Sequence, residues 1–172
     1  MTDTPTATPA LLLQVTTRPI LPAECETVSR IIAHFASQAI LLWRTPEDVA
    51  RHVENFLLAE VAGKPIGCVA IQDYGGGLIE VRSLAVIQEY WGKGIGSLLI
   101  QAALRLAQER GARTAFALTK RPNLFLNNGF HTTDRNDFPQ KVWNDCQLCP
   151  KRDHCIEVAV VHDLAALGEA SA

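Results

Sequence analysis

The run Ser83-Leu84-Ala85-Val86-Ile87-Gln88-Glu89-Tyr90-Trp91-Gly92-Lys93-Gly94-Ile95-Gly96-Ser97-Leu98-Leu99 decides how this chain folds. Upstream, Leu78 to Val86 is an apolar run with the β-branched content of a strand. Downstream, Gly94 to Arg110 has helical spacing, with Ile95, Leu98, Leu99, Ala102 and Leu106 predicted to face inward and Ser97, Gln101, Arg105 and Gln108 to face water. Gly111 ends that helix as a left-handed cap. Between strand and helix stand Gly92, Gly94 and Gly96. Glycines let backbone approach a ligand closely, and a helix start offers unpaired N–H groups and the positive end of a dipole. The result is a cradle suited to phosphate. Its Gly-x-Gly-x-Gly spacing is neither the dinucleotide fingerprint nor a Walker loop. Taken alone, the loop reads equally well as a tight strand-to-helix turn.

Working outward, Leu11 to Thr17 reads as a first strand. Cys25, Val28, Ile31, Ile32 and Phe35 mark an amphipathic helix from Pro22 onward, with Cys25 as a small buried hydrophobe. Thr45-Pro46-Glu47-Asp48 is a helix start, with a hydroxyl cap, proline at the first helical position and acids in the first turn. Phe56 to Val61 and Ile66 to Asp73 flank Ala62-Gly63-Lys64-Pro65 as a hairpin, and Cys68 belongs to its core. After the long helix come a strand at Thr114–Thr119, a short helical turn at Leu124–Asn128, a capped turn or two from Asp137 toward Asn144, and a last strand at Ile156–Val161. Two consecutive strands before Tyr74 argue against a purely doubly wound parallel sheet. The expected class is therefore a single mixed α/β (α+β) domain over residues 11–165, preceded by a flexible tail at 1–10 and carrying a cysteine-rich loop at 146–155.

The chain has 172 residues, 48% hydrophobic and 20% charged, with a formal net charge of −2. That is globular composition, enough for a core without disulfide staples. The charge balance argues against a dedicated nucleic-acid binder, and the longest apolar runs are too short to span a bilayer. The N-terminus lacks the basic and apolar regions of a signal peptide. The expectation is a cytoplasmic protein acting on a small molecule, without nucleic-acid or membrane partners, with homo-oligomerisation left open.

Residues 83–99 closely resemble motif A of the GNAT acetyltransferases. The resemblance extends, in order of elements, from Leu12 to Val161 and implies the GNAT fold: a mixed central sheet flanked by helices. In that family the motif strand pairs with the pantetheine arm and the loop holds the pyrophosphate of acetyl-CoA. Carried onto this sequence, Leu84, Ala85, Val86, Gly92, Lys93, Gly94, Ile95, Gly96 and Ser97 are the expected cosubstrate-binding residues. The usual pattern is Arg/Gln-x-x-Gly-x-Gly/Ala, and Trp91 stands at its Arg/Gln position here.

Leu118-Thr119-Lys120-Arg121 with Phe125 and Gly129-Phe130, and Ile40-Leu41-Leu42-Trp43-Arg44-Thr45, resemble the acetyltransferase domain of the N-acetylglutamate synthases. Longer members carry an amino-acid-kinase-like domain that senses arginine. The resemblance here is to short, stand-alone members. Many GNAT enzymes place a tyrosine acid where this chain has Phe125.

The implied reaction needs a held thioester, an acceptor amine stripped of its extra proton, and cations for an acidic acceptor. Glu80, early in the motif strand, matches the family's catalytic glutamate, and a carboxylate can take the ammonium proton. Its alternative reading is an ordinary exposed strand glutamate. Guanidinium binds carboxylate two-pronged, so Arg44 and Arg121 are the first choices for substrate carboxylates, with Arg82 and Lys120 as further cations.

Cys146-x2-Cys149-Pro150-x4-Cys155 has the close first spacing of a zinc knuckle. It reads as well as three thiols as it does as one structural zinc with a fourth ligand from His154, His131 or His162. Short proteins resembling the glutamate synthases carry similar patterns. The expected function is acetyl-CoA-dependent N-acetylation of a small amino acid, L-glutamate first, at the entry to arginine biosynthesis. The alternatives are a GNAT enzyme for another amine or a protein N-terminus, and a non-catalytic acetyl-CoA-binding or zinc-stabilised interaction module.

Overall fold

Ala62 and Gly63 both adopt positive φ, 49° and 73°, the backbone hand of the tightest hairpin turns. They fold β2 (Phe56–Val61) directly back on β3 (Lys64–Asp73). The computed structural model describes residues 14–140, 146–149 and 151–165. On one side of the hairpin lies β1 (Val15–Pro19); on the other, reached through the Gly75–Gly77 turn, lies β4 (Leu78–Val86). Three further strands, β5 (Thr114–Thr119), β6 (His131–Thr133) and β7 (Val158–Asp163), complete a seven-stranded sheet ordered β1-β2-β3-β4-β5-β7-β6.

The β4–β5 pair is parallel, whereas every other pairing described is antiparallel. It is also brief: Leu78, Ile79 and Glu80 face Thr114, Ala115 and Phe116, after which the two strands run on without pairing. β4 continues to Val86 and β5 to Thr119, so the sheet opens as a wedge just beyond Glu80.

Both faces of the sheet are covered. Helix α3 (Ile95–Glu109) lies over β1 to β4, packing on Leu57, Ala59, Val69, Ile71, Ile79 and Val81. On the opposite face, α1 (Cys25–Ala36) and α2 (Pro46–Arg51) pack on Phe56, Leu58, Cys68, Ala70 and Ala85. The alternation of these two sets along β2 and β3 is the period-two pattern of strands buried on both sides. In β4 the alternation breaks. Cys68 pairs with Ala85 and Ala70 with Arg82, so Ser83 and Leu84 together oppose Val69, and Ser83 takes a positive φ of 54°. This is a β-bulge. Before it, odd-numbered residues face α3; after it, Ala85 faces α1.

Several boundaries differ from the sequence expectation. β1 runs to Pro19, and Leu11 to Leu13 lie outside the described residues. α4 spans Pro122–Leu126, earlier than expected, because Pro122 suits the first helical turn. β6 has only three residues, too few to leave a periodicity. Arg135–Asp137 forms an additional 3₁₀ turn capped by Asp134, whose carboxylate accepts from the Asn136 N–H, and the helix expected to open after Asp137 begins at Pro139 and Gln140. Its expected continuation to Asn144 lies outside the described residues. On α3, Leu98 is exposed while Ile100, Ala103, Leu104 and Ala107 are buried, since the helix crosses four strands and also meets α4. Among the described residues no helix is long and apolar enough to cross a membrane.

Candidate active site

The glycine loop forms as its sequence requires. Gly92 and Gly94 sit at φ 72° and 78°, and a Cβ on either would point into open space. Their need is conformational, and their lack of side chains leaves the start of α3 bare. Gly94 caps that helix with no side-chain hydrogen bond, so its first N–H groups are available to an anion. Gly96 has another role. A Cβ there would stand 3.2 Å from Leu124 Cδ2, so this glycine lets α3 pack on α4. Ser97 Oγ accepts from Asn128 Nδ2 at 2.9 Å, and Asn128 Nδ2 also donates to the Leu124 carbonyl, tying the helix start to the end of α4.

Trp91 fastens the loop to the end of β4: its indole Nε1 donates to the Val86 carbonyl at 2.6 Å. Phe35 stacks on one side, with ring centroids 6.4 Å apart, and the Arg121 guanidinium lies 5.2 Å from the indole ring. Lys93 donates to the Glu89 carbonyl and lies over the Tyr90 ring. Beside this loop, the β4 edge through Leu84, Ala85 and Val86 has no β5 partner, leaving backbone groups facing the wedge.

On the α1 side of the wedge is a cavity of about 570 Å³, a size suited to a small molecule. Its walls come from the α1–α2 connection at Ala39–Arg44, from Glu80, Arg82 and Ser83 of β4, from Leu118 and Lys120, from Arg135 and Asn136, and from Cys146, Cys149 and residues 151–157. Six basic residues, Arg44, Arg82, Lys120, Arg135, Lys151 and Arg152, line it against three acids, Glu80, Asp153 and Glu157. The electrostatics favour a ligand that carries negative charge.

Glu80 is 2% exposed, which disposes of its reading as an ordinary surface residue. It is the last β4 residue paired with β5, so its carboxylate stands where the sheet opens. The Tyr74 hydroxyl donates to Glu80 Oε2 at 3.1 Å. Ordinary alternation sets the facing: with Ile79 and Val81 packed toward α3, Glu80 and Arg82 point to the opposite, cavity side, and the bulge comes only after them. Around the cavity, Ser29 Oγ donates to the Arg44 carbonyl at 2.7 Å, Arg82 Nη2 to Gln72 Oε1 at 2.7 Å, and Lys120 Nζ to the Ala39 carbonyl at 2.7 Å.

Arg121, a first choice for substrate carboxylates, does not line the cavity; it lies on Trp91 at the glycine loop. The sequence reading missed Tyr74, Arg135, Lys151 and Arg152. Tyr74 sits in a turn six residues before Glu80, and only the hairpin geometry returns its ring over the strand. Arg135 bridges to the cysteine loop, donating from Nη2 to Cys155 Sγ at 3.2 Å and to the Glu157 carbonyl at 3.0 Å.

The zinc expectation finds no support. Among the described residues, no three His, Cys, Asp or Glu side chains are grouped to hold a metal ion. Cys146 and Cys155 sit on separate turns, and Cys155 has a guanidinium beside its sulfur where a metal would need further donors. His131 is on the exposed β6, while His162 packs edge-on to Phe130 on β7. Elsewhere, burial pushes the Cys68 thiol up to about 12, which keeps it inert.

Residues 23–131 match the Acetyltransferase (GNAT) family. The chain belongs to this family. An uncharacterised N-acetyltransferase of Chlorobaculum tepidum is 40% identical over 142 residues, 83% of this chain and 92% of that protein. An amino-acid acetyltransferase of Shewanella oneidensis is 34% identical over 119 residues, 66% of this chain but 26% of its own length. This GNAT chain thus corresponds to about a quarter of that relative. In three dimensions, N-acetylglutamate synthase from Neisseria gonorrhoeae, solved with coenzyme A and N-acetyl-glutamate, superposes with a TM-score of 0.78 at 24% identity, over 87% of this chain and 35% of the Neisseria chain. The shared feature is the fold of the GNAT domain: the mixed sheet with its flanking helices.

Proposed function

We propose that this GNAT protein moves the acetyl group of acetyl-CoA to the α-amino group of a small acidic amino acid, L-glutamate before others, as the entry step of arginine biosynthesis. The observation that carries this reading is a buried carboxylate, Glu80, at the mouth of the sheet's wedge, in a cavity where basic residues outnumber acids two to one. The Shewanella relative's name, an amino-acid acetyltransferase, supports an amino-acid acceptor, and the Neisseria relative's, an N-acetylglutamate synthase, supports glutamate.

The N–H groups around Gly92 to Ile95 would hold the pyrophosphate, and Arg121, its guanidinium over the Trp91 ring, would add a cation beside them. Backbone donors of Leu84 and Ala85 would polarise the thioester carbonyl as negative charge develops on its oxygen. Glu80 would accept the proton of the incoming ammonium, directly or through water, so that the amine can attack. Tyr74 holds that carboxylate in place. Arg44, Arg82, Lys120 and Arg135 are the cations within reach of the acceptor's carboxylates. Phe125 is buried and apolar, so no side-chain acid at that position serves the departing thiolate.

Release of CoA measured against each of the twenty amino acids tests the reading. Glutamate should be used well above glutamine. Equal use of the two rejects a dicarboxylate pocket, and no release with any amino acid rejects amino-acid acetylation altogether.

A further inference from the structure

The thiols of the 146–155 loop have no part in the acetyl transfer above, yet Cys146, Cys149 and Cys155 all line the acceptor cavity. Cys146 opens a 3₁₀ turn, and the Cys149 N–H donates to the Cys146 carbonyl at 3.2 Å. A 3₁₀ turn rises about 2 Å per residue and eclipses side chains three positions apart. Two cysteines so placed have Cα atoms roughly 6 Å apart on one face, within the ~4.4–6.8 Å span that a disulfide bridges. Cys155 is held differently, its sulfur 3.2 Å from Arg135 Nη2 and 3.8 Å from Glu157 Oε2. No disulfide joins any of the five cysteines. Arg135, Lys151 and Arg152 line the same cavity, so a small reactant carrying carboxylates is drawn to it.

We propose that Cys146 and Cys149 form a modification site, closed to an intramolecular disulfide by low-molecular-weight disulfides that bear carboxylates. In the first step one cysteine thiolate attacks a sulfur of the reactant; the reactant's S–S bond breaks and one half leaves as a thiol, taking up a proton. The second cysteine thiolate then attacks the protein-side sulfur of the mixed disulfide, and the other half leaves as a second thiol. Two protein thiols are oxidised, one external disulfide is reduced, and the two protons lost by the cysteines end on the two released thiols. Closure reshapes the wall of the acceptor cavity and leaves the glycine loop, which lies outside that wall, as it was. The chemical site stands on its own geometry; its effect on the acceptor rests on the function proposed above.

The test exposes the full chain to oxidised glutathione and follows intact mass, peptide mapping and steady-state kinetics. Parent and Cys155→Ser should each lose about 2 Da through a Cys146–Cys149 bridge, reversed by dithiothreitol. Cys146→Ser and Cys149→Ser should stop at a mixed disulfide. In the closed parent the acceptor KM should rise about tenfold with the acetyl-CoA KM unchanged. A bridge that uses Cys155, thiols that stay unreacted, or a co-purified metal that shields them would each overturn the site. A bridge with an unaltered acceptor KM overturns its effect on the cavity. A Cys146–Cys149 bridge in a protein that acetylates no amino acid supports the site and overturns the glutamate reading instead.

Discussion

Replacing Glu80 by glutamine tests the chemistry with little disturbance of the structure. The side chain is 2% exposed and accepts a hydrogen bond from the Tyr74 hydroxyl at 3.1 Å. Glutamine keeps the shape and can still accept that bond through its amide oxygen, so the cavity and the β4–β5 junction should survive. What it loses is the ability to take a proton. A positioned general base contributes about 10²–10⁴-fold, and the burial of Glu80 leaves bulk water a poor substitute, so kcat at neutral pH should fall within that range. The acetyl-CoA KM should stay within about twofold, because the glycine loop is built from other residues. The loss should also shrink as pH rises. Below the pKa of the amine, each unit by which pH rises supplies about tenfold more attacking species without help from the protein. The assay is steady-state CoA release from about pH 6.5 to 9.5, with circular dichroism to confirm the fold. A Glu80→Gln enzyme whose neutral-pH kcat lies within about threefold of the parent refutes the assignment, as does a defect that stays constant with pH.

Arg44→Ala should cost glutamate use at least about tenfold while changing glutamine use far less, since a charge-assisted pair is worth roughly 1.5–3 kcal/mol; Arg121→Ala, whose guanidinium lies on Trp91, should instead raise the acetyl-CoA KM. Gly94→Val puts a β-branched residue at φ 78° and a side chain into the cradle, so CoA binding by calorimetry should be lost; unchanged affinity rejects the cradle. Glu24 is held at about 2 by its hydrogen bond from Arg18, well below its ordinary value of 4.5. The stability this pair contributes, about 1–2 kcal/mol after allowing for partial exposure, is therefore complete above about pH 4.5 and lost as pH falls toward 2. In urea melts Glu24→Gln should be destabilised near neutral pH and converge on the parent in acid; a gap that persists in acid would reject the pair as its source.

The long elements were legible because each carries a local signal. The strand at Leu78–Val86 and the strand at Thr114–Thr119 lie where their apolar runs place them, and Thr45 does cap α2 in a capping box with Asp48. Glu80, Arg44, Arg82 and Lys120 could be named because a recognisable strand and loops bear them, and all four meet in one cavity. What escaped was set by contacts distant in sequence. Which arc of α3 is buried depends on the four strands it crosses, and Leu98 lost that contest to Ile100 and Leu104. Arg121 and Lys120 are neighbours in the chain, yet one lies on Trp91 and the other reaches Ala39, because both fall in the turn between the end of β5 at Thr119 and the start of α4 at Pro122. Arg135, Lys151 and Arg152 sit in or beside single 3₁₀ turns, too short for charge to show a period. The cysteine spacing suggested a metal, but spacing says nothing about the guanidinium that Arg135 brings to Cys155.

The extra residue at Ser83 acts like a stacking fault in the pleat. On one side of it the strand shows Glu80 and Arg82 to the cavity; on the other it turns Ala85 toward α1 and Leu84 and Val86 toward α3. The two halves of a single strand are thereby out of phase, and each can be altered without changing which way the other faces. The side chain facing the cavity can be changed at Arg82 while the half of the strand beyond the bulge keeps its alignment. A deletion of Ser83 would erase the fault, bring both halves into one phase, and force the strand to choose between them.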